Sequence, residues 1–503
     1  MTDIDRFPIQ IYNSLSGKKE QFIPINPPNV GLYVCGPTVY GDPHVGHARA
    51  AITFDVVLRY LRYSGYKVRY VRNITDVGHL EDEETEQGED KIAKKARLEK
   101  VEPMQIVQHY TNSYHDGMDA LNCIRPDIEP SATGHIIEQI NLIIKIMNNG
   151  WAYEVDGNIY FDLAKYAKSE NYGELSGKVL EELQSGSRDT EGMEHKKSPH
   201  DFALWKKATP GHIMKWDSPW GEGFPGWHLE CTTMSTKYLG EQFDIHGGGL
   251  DLQFPHHEAE IAQNKAAFGI DPANYWMHNN MITIDNAKMS KSAGNFITLD
   301  DLFNGSHELL EKRYDPMVVR FLILQSHYRN KIDFSNDALK AAEKGFLRLL
   351  NAAKLLKDLD KTDTGISGEP DQQLNELCDN CFKTMSDDFN TAQTLAVLFE
   401  MSSFIHAFYN KQKDLKNVSE KTFHRFRETF NTFVFEILGL KAIYGNQSGK
   451  TEELVQLLIK IRSEAREKKD FTTSDKIRDE LAAIGIILKD EKSGKTMFQI
   501  KDE

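Results

Sequence analysis

Val30-Gly31-Leu32-Tyr33-Val34-Cys35, then Gly36-Pro37-Thr38-Val39-Tyr40-Gly41-Asp42-Pro43, then His44-Val45-Gly46-His47 is the stretch that decides the fold. It reads as a buried strand, a turn rich in breakers and the start of a helix. Val45, Ala48, Ile52, Val56 and Tyr60 continue that helix at its own period. After Gly65 the segment Val68-Arg69-Tyr70-Val71-Arg72-Asn73-Ile74 reads as a second strand. Strand, turn, helix, strand is a βαβ unit in an α/β fold. Ligands of such folds sit at the carboxyl ends of the strands. His44 and His47 stand there, three apart, where backbone N–H groups and the positive end of the helix dipole suit a phosphate. Gly46 between them lets a flat ring approach the backbone. Read alone, the pair fits equally a helix start that happens to contain histidines.

Upstream, residues 7–25 alternate apolar and polar around Ser16-Gly17-Lys18-Lys19, a hairpin pattern. Downstream, Gly226 to Glu260 carries three ligands of first-row metals: Cys231, His256 and Glu260. His256 and Glu260 are four apart in a segment that continues as a good helix, so both would lie on one face. Pro255 fits the first helical turn, and glycines 247 to 249 imply a close, backbone-rich approach. Cys35 is the candidate fourth ligand. A buried, inert cysteine beside core histidines would look the same at this level. Further on, Lys288-Met289-Ser290-Lys291-Ser292, followed by Ala293-Gly294-Asn295, puts two lysines three apart in a loop of small residues. Both can reach one polyphosphate, whose developing charge fixed cations stabilise.

At 503 residues the chain is too long for one core, and its 40% hydrophobic and 27% charged content is that of a globular protein. Cysteines 35, 123, 231, 378 and 381 are too few and scattered for a disulfide framework. Met1 to Pro8 lacks the features of a signal peptide, and no apolar run is long enough for a bilayer, so a cytoplasmic location is expected. A net charge of −15 argues against an indiscriminate nucleic-acid coat, though a local basic face can still bind RNA.

His44-Val45-Gly46-His47 with Lys288-Met289-Ser290-Lys291-Ser292 resembles the HIGH and KMSKS signatures of class I aminoacyl-tRNA synthetases. Cys35-Gly36-Pro37-Thr38-Val39-Tyr40, Gly226 to Cys231, Phe254 to Glu258, Asp201 to Lys206 and Ser386-Asp387-Asp388-Phe389-Asn390-Thr391 narrow the resemblance to the cysteinyl-tRNA synthetase family. It covers essentially the whole chain. It implies Zn²⁺ on Cys35, Cys231, His256 and Glu260, and ATP, with Mg²⁺, bound and activated at His44, Gly46, His47, Lys288 and Lys291. The family's cysteine pocket falls on Thr38, Trp227, His246 and Asp251. The implied partners are L-cysteine, ATP and tRNA(Cys), for a monomer.

Serine is the hard problem for such an enzyme, because it differs from cysteine by one atom. Pocket shape yields only about 1–3 kcal/mol for so small a group, whereas translation needs on the order of 10⁴–10⁵, about 5.5–7 kcal/mol. Zinc takes a thiolate strongly and a neutral alcohol poorly, which would supply the difference and remove the need for an editing domain.

The domains expected are a Rossmann-type catalytic domain over 1–315, with a connective insertion at about 120–225, a tRNA-binding helical bundle over 316–445 and an anticodon-binding α+β module over 446–503. In the family the insertion helps hold the tRNA acceptor end, and the Asp470 to Asp479 region reads the anticodon. Phe471 stands where many members carry Trp, keeping a stacking face but losing an N–H donor; Asp475 and Arg478 lie beside it. Glu81 to Glu86 is an acidic insertion expected to be a solvated loop, and Lys91, Lys94, Lys95, Arg97 and Lys100 a solvated helix face. Cys378-Asp379-Asn380-Cys381 lacks a second pair and sits in a helical apolar pattern, so it reads as core. Two rival readings share the zinc and ATP residues or their surface: a ligase joining cysteine to an amino-sugar, as in mycothiol synthesis, which should not need the tail after Gly445, and a silent tRNA-binding paralogue, which should not need His44, His47, Lys288 and Lys291.

Overall fold

The N-terminal alternation produces the expected hairpin: β1 (Gln10–Asn13) pairs antiparallel with β2 (Lys18–Gln21). The computed structural model describes residues 6–78, 80–82, 87–178, 196–209, 211–290, 293–359, 368–442, 448–468, 470–490 and 496–500. The chain divides into two compact units, Met1–Lys441 and Ala442–Glu503.

The first unit is built on the βαβ element. β3 (Asn29–Val34) leads through the Gly36–Pro43 turn into α1 (Val45–Tyr63), which returns to β4 (Lys67–Arg72), parallel to β3. The acidic segment departs from its expected form. β5 (Leu80–Asp82) pairs antiparallel with β6 (Gln87–Asp90), and only residues 83–86 of it lie outside the described residues. Asp90 then caps α2 (Lys91–Glu99) through the Ile92 and Ala93 amides. The basic face of α2 is partly engaged rather than simply solvated: Lys95 donates to the Tyr40 carbonyl at 3.1 Å, and Arg97 pairs with Glu89 at 2.7 Å.

After α3 (Pro103–Ala120) comes the connective region. It opens with α4 (Ile136–Asn148), and the remainder builds a sheet. β7 (Ala152–Val155), β8 (Asn158–Phe161), β9 (Ala203–Lys207) and β10 (Gly223–Pro225) form an antiparallel sheet in the order β10–β9–β8–β7. α5 (Leu229–Leu239), β11 (Phe243–Gly249), α6 (Glu258–Phe268) and β12 (Ala273–Asn279) complete the main sheet, wholly parallel in the order β12–β11–β3–β4. The core between this sheet and α5 includes Tyr33, Val71, Cys231, Met234, Phe243 and Trp276.

A small sheet follows, in the order β14–β13–β15: β13 (Ile282–Ile284), β14 (Ala287–Lys288) and, beyond α7 (Leu299–Asn304) and α8 (Pro316–Leu324), β15 (Ile332–Phe334). The expected bundle consists of α9 (Asn336–Lys357), α10 (Glu369–Ser386), α11 (Thr391–Tyr409) and α12 (Glu420–Asn431). Cys378 and Cys381 are buried core residues of α10. The bundle is tied to α1 by a buried charge. Asp55 of α1 pairs with Arg320 of α8 and with Arg59, and accepts from the Ile124 amide at 2.8 Å. Arg320 also donates to the carbonyls of Leu121 at 2.9 Å and Leu438 at 2.8 Å.

The second unit has α13 (Ser448–Glu467), α14 (Phe471–Ala483) and the antiparallel pair β16 (Ile486–Asp490) and β17 (Thr496–Ile500) around Val455, Leu481 and Ile486. This is the α+β tail read from the sequence, its first helix beginning at Ser448.

Candidate active site

Strand register sets the floor of the site. Tyr33, His246 and Trp276 lie side by side on β3, β11 and β12, and Gly248 faces His278 one step nearer the carboxyl ends. Cys35 follows β3, its amide bonded to the Gly247 carbonyl at 3.1 Å. Period-two alternation puts Tyr33 and Cys35 on one face. A Cβ on Gly247 would lie 2.2 Å from the Phe54 ring of α1, and one on Gly248 2.7 Å from the His257 ring. The glycines therefore admit a ring on each face of β11.

The other donors come from helix starts. Cys231 is in the first turn of α5, and Glu260 in the first turn of α6. The helix does not start at Pro255 as expected: Phe254 is extended (φ −139°, ψ 134°), residues 253–257 form a wide irregular turn, and regular α-helix begins at Glu258. His256 and Glu260 still meet, at 3.3 Å.

Cys35 Sγ, Cys231 Sγ, His256 Nε2 and Glu260 Oε1 all lie within 4.8 Å of one another. Cys35 Sγ to Cys231 Sγ is 3.5 Å, Cys231 Sγ to His256 Nε2 3.4 Å, His256 Nε2 to Glu260 3.3 Å and Cys35 Sγ to Glu260 3.6 Å. Tetrahedral zinc, with bonds of about 2.3 Å to sulfur and 2.0–2.1 Å to nitrogen or oxygen, requires edges of roughly 3.3–3.8 Å. The cage fits. A second grouping, Cys35, His246, His257 and Glu260, fits less well: His246 Nε2 lies 2.8 Å from Glu260 Oε2, a hydrogen bond rather than an edge. Burial pushes the Cys231 thiol up to about 12 and the Cys35 thiol well above its usual value, so both sulfurs need a cation to be thiolates at neutral pH.

Further histidines orient the donors. His228 Nδ1 lies 3.1 Å from His256 Nδ1, which turns His256 Nε2 towards Cys231, and the Trp227 ring packs 4.5 Å from His256. His257 Nε2 is 3.3 Å from Cys35 Sγ; its Nδ1 meets His278 Nε2 at 2.8 Å, and His278 Nδ1 meets Ser14 Oγ at 2.8 Å. Burial lowers His278 to about 3 and His257 well below its usual value, so both stay neutral. His228, His257 and His278 went unread in the sequence; His278, near the carboxyl end of a parallel strand, carried the signal that could have found it.

Cys35 is half-buried, whereas Cys231, His256 and Glu260 are about fully buried. Thr38 and Trp227 are half-buried; His246 is wholly buried, with Nε2 on Glu260 and Nδ1 without a hydrogen-bond partner among the described residues. Asp251 is exposed, in the short turn Leu250–Leu252 after β11.

At the start of α1 the histidines cap the helix themselves. The Gly46 amide donates to His44 Nδ1 at 3.1 Å, and the His44 amide to His47 Nδ1 at 3.2 Å. With Nδ1 accepting in both, the ring proton sits on Nε2. Burial lowers His47 to about 4, so it is a neutral donor. The lysine loop adjoins this turn: a Cβ on Gly46 would lie 3.9 Å from Met289, and the Phe296 ring meets His44 at 5.1 Å. Asn295 holds the loop at two points, accepting from the Ser290 amide at 2.8 Å and donating to the Lys288 carbonyl at 3.2 Å. Lys288 is exposed; Lys291 and Ser292 lie outside the described residues. In the second unit Phe471 opens α14 and is 61% exposed, offering a bare ring, while Arg478 pairs with Asp475 and Asp479.

A parallel nucleotide-binding sheet with a connective insertion, a His-x-Gly-His helix start and a lysine loop beside it defines a class I aminoacyl-tRNA synthetase. The fold is shared with Mycobacterium tuberculosis methionyl-tRNA synthetase in complex with methionyl-adenylate (TM-score 0.57, 17% identity, 81% of this chain and 89% of that one). It is shared too with Thermus thermophilus arginyl-tRNA synthetase (TM-score 0.54, 13% identity, 85% and 84%). Residues 21–344 match the family of class I (C) tRNA synthetase catalytic domains, residues 382–442 the DALR domain and residues 450–496 the cysteinyl-tRNA ligase anticodon binding domain. The chain belongs to the cysteine–tRNA ligase family, ligases that form an aminoacyl-tRNA: it is 54% identical to the cysteine–tRNA ligase of Bacteroides thetaiotaomicron over 97% of this chain and 98% of that one. The identity is 55% with that of Cytophaga hutchinsonii (96% and 97%) and 47% with that of Chlorobaculum tepidum (98% and 99%).

Proposed function

We propose that this chain activates L-cysteine with ATP to cysteinyl-adenylate and passes the cysteinyl group to the 3′ end of tRNA(Cys), choosing cysteine through a zinc ion on Cys35, Cys231, His256 and Glu260. The close grouping of those four donors, all within 4.8 Å of one another, supports the reading. When bound, zinc supplies a soft position that a thiolate fills and a neutral hydroxyl does not. Thr38 and Trp227 wall the amino-acid site beside Cys35, and the unpartnered His246 Nδ1 accepts a donor from the substrate. Asp251, at the exposed rim, meets the substrate's ammonium group.

The cysteine carboxylate attacks the α-phosphate of ATP, which enters with Mg²⁺, and pyrophosphate leaves. His44 and His47 donate from Nε2 to phosphate oxygens, and Gly46 leaves room for the nucleotide. Lys288 and Lys291 neutralise charge on the departing pyrophosphate. A terminal ribose hydroxyl then attacks the acyl carbon, with Phe471, Asp475 and Arg478 engaging the anticodon. The protein works in the cytoplasm as a monomer, with catalytic domain 1–315, bundle 316–445 and anticodon module 446–503.

Asn295 gives a direct check on the loop. Asn295→Ala removes both of its bonds, so kcat for cysteine-dependent ATP–pyrophosphate exchange falls about 10- to 100-fold, roughly 1.4–2.7 kcal/mol, with KM for cysteine within about twofold. Steady-state kinetics on the purified protein measure the split.

The reading as a whole is tested by charging total tRNA with labelled cysteine. Cysteine bound to RNA by a base-labile ester supports it. Exchange with cysteine but no charged RNA would move the acceptor to another class, the amino-sugar among them; the anticodon-domain match at 450–496 favours RNA.

A further inference from the structure

Tyr33 is wholly buried in the centre of the main sheet, yet among the described residues its hydroxyl has no hydrogen-bond partner that meets distance and angle. Such a group is costly unless some other state of the molecule pairs it. Register shows which state. Tyr33 shares a sheet face with Cys35, two residues on, and neighbours His246 across β11, ring to ring at 5.3 Å. Across the core from this face lies α5, whose Cys231 packs in the same cluster as Tyr33 and, burial aside, acts most strongly on its hydroxyl.

The surroundings of Cys231 make the hydroxyl informative. As a thiol, Cys231 donates to Asn73 Oδ1 at 3.7 Å. A thiolate cannot make that bond. Asn73 cannot turn its amide round to help, because Oδ1 takes the Gly36 amide at 2.8 Å and Nδ2 donates to Thr75 Oγ1 at 3.1 Å. Two further contacts of Cys231 Sγ, with Cys35 Sγ and His256 Nε2, are edges of the cage itself. When the sulfur ionises it gains lone pairs and loses its acceptor, and the phenol is a donor with nothing else to do.

We propose that Tyr33 is a positioning residue of the metal cage, donating an O–H···S hydrogen bond to the Cys231 thiolate and so stabilising the metal-loaded state over the stripped one. The inference rests on the zinc reading above. Outer partners of this kind typically change metal affinity 10- to 100-fold. The bond also draws electron density from Cys231, leaving the metal readier for a further thiolate, which is what discrimination of cysteine from serine requires.

Tyr33→Phe is the test, since it deletes one oxygen and keeps the ring. Zinc affinity, measured by competition with a chromogenic chelator, falls about 10-fold or more. In the cobalt-substituted protein the sulfur-to-metal charge-transfer band moves to lower energy, because Cys231 becomes the richer donor. Stripped of metal, the variant melts at or above the wild-type temperature, having lost its unpaired hydroxyl; loaded, it melts below. That change of sign separates the role from simple packing. Equal zinc affinity and an unmoved band overturn the proposal, as does a stripped variant less stable than stripped wild type. Wild-type protein that binds no zinc overturns the zinc reading itself, a result distinguishable from the other two.

Discussion

Cys231→Ala brings zinc content from one per chain to near zero and lowers kcat/KM for cysteine in ATP–pyrophosphate exchange by about 10²- to 10³-fold or more. The magnitude follows from the discrimination the enzyme has to deliver. Shape accounts for about 1–3 kcal/mol of the roughly 5.5–7 required, leaving about 2.5–6 kcal/mol, some 10²- to 10⁴-fold, to a contact that only a thiol can make. Serine never had that contact. Its rate stays nearly constant in the variant, and selectivity collapses towards the roughly 10- to 200-fold of a shaped pocket. The measurement is a pair of exchange assays beside a metal analysis. Loss of cysteine and serine activity in equal proportion would mean that Cys231 supports the fold or the nucleotide site instead. Circular dichroism and the unchanged KM for ATP expected here keep those outcomes apart.

The second large effect is on stability. Asp55→Ala leaves Arg320 charged and fully buried, with one oxygen partner removed from its most acidic side and the Ile124 amide unpaired. Breaking a buried pair by removing one partner costs about 3–5 kcal/mol. In a unit this long, with an unfolding entropy of about 2.1 cal/mol/K per residue, that corresponds to a fall in Tm of about 3–5 °C. The pair joins α1, the segment around Leu121 and Leu438 at the end of the bundle, so cysteine activation falls with it at temperatures well below the melt. A variant that melts within about 1 °C of wild type would show that the bundle is held by its apolar contacts alone.

Local pattern carried what was legible in the sequence. The βαβ unit could be read because β3 carries the apolar run Val30 to Val34 and β4 the apolar positions Val68, Tyr70 and Val71, all but Gly31 of them buried, separated by a helix of clean period. His256 and Glu260 announced themselves because four-residue spacing survives even the irregular turn that delays the helix to Glu258. What pattern could not show is set by contacts between distant residues. β7 to β10 are strands of three to five residues, the last two far from the first in sequence, and nothing local distinguishes them from loop. The acidic run hides a hairpin because Leu80–Asp82 and Gln87–Asp90 are stabilised by pairing, not by their own apolar pattern. His228, His257 and His278 are plain histidines until tertiary structure lines them up behind the cage. Tyr33 reads as an ordinary core residue of a strand, and only its missing partner marks it.

The central claim is that the cage on Cys35, Cys231, His256 and Glu260 chooses the thiol. The most direct test is the ratio of kcat/KM for cysteine to that for serine, taken on zinc-loaded protein and again after stripping and reloading the metal. A ratio of at least about 10⁴ when loaded, falling to 200 or below when stripped and recovering on reloading, is the predicted result. A ratio that stays the same through all three states would contradict it and return selectivity to the shape of the pocket.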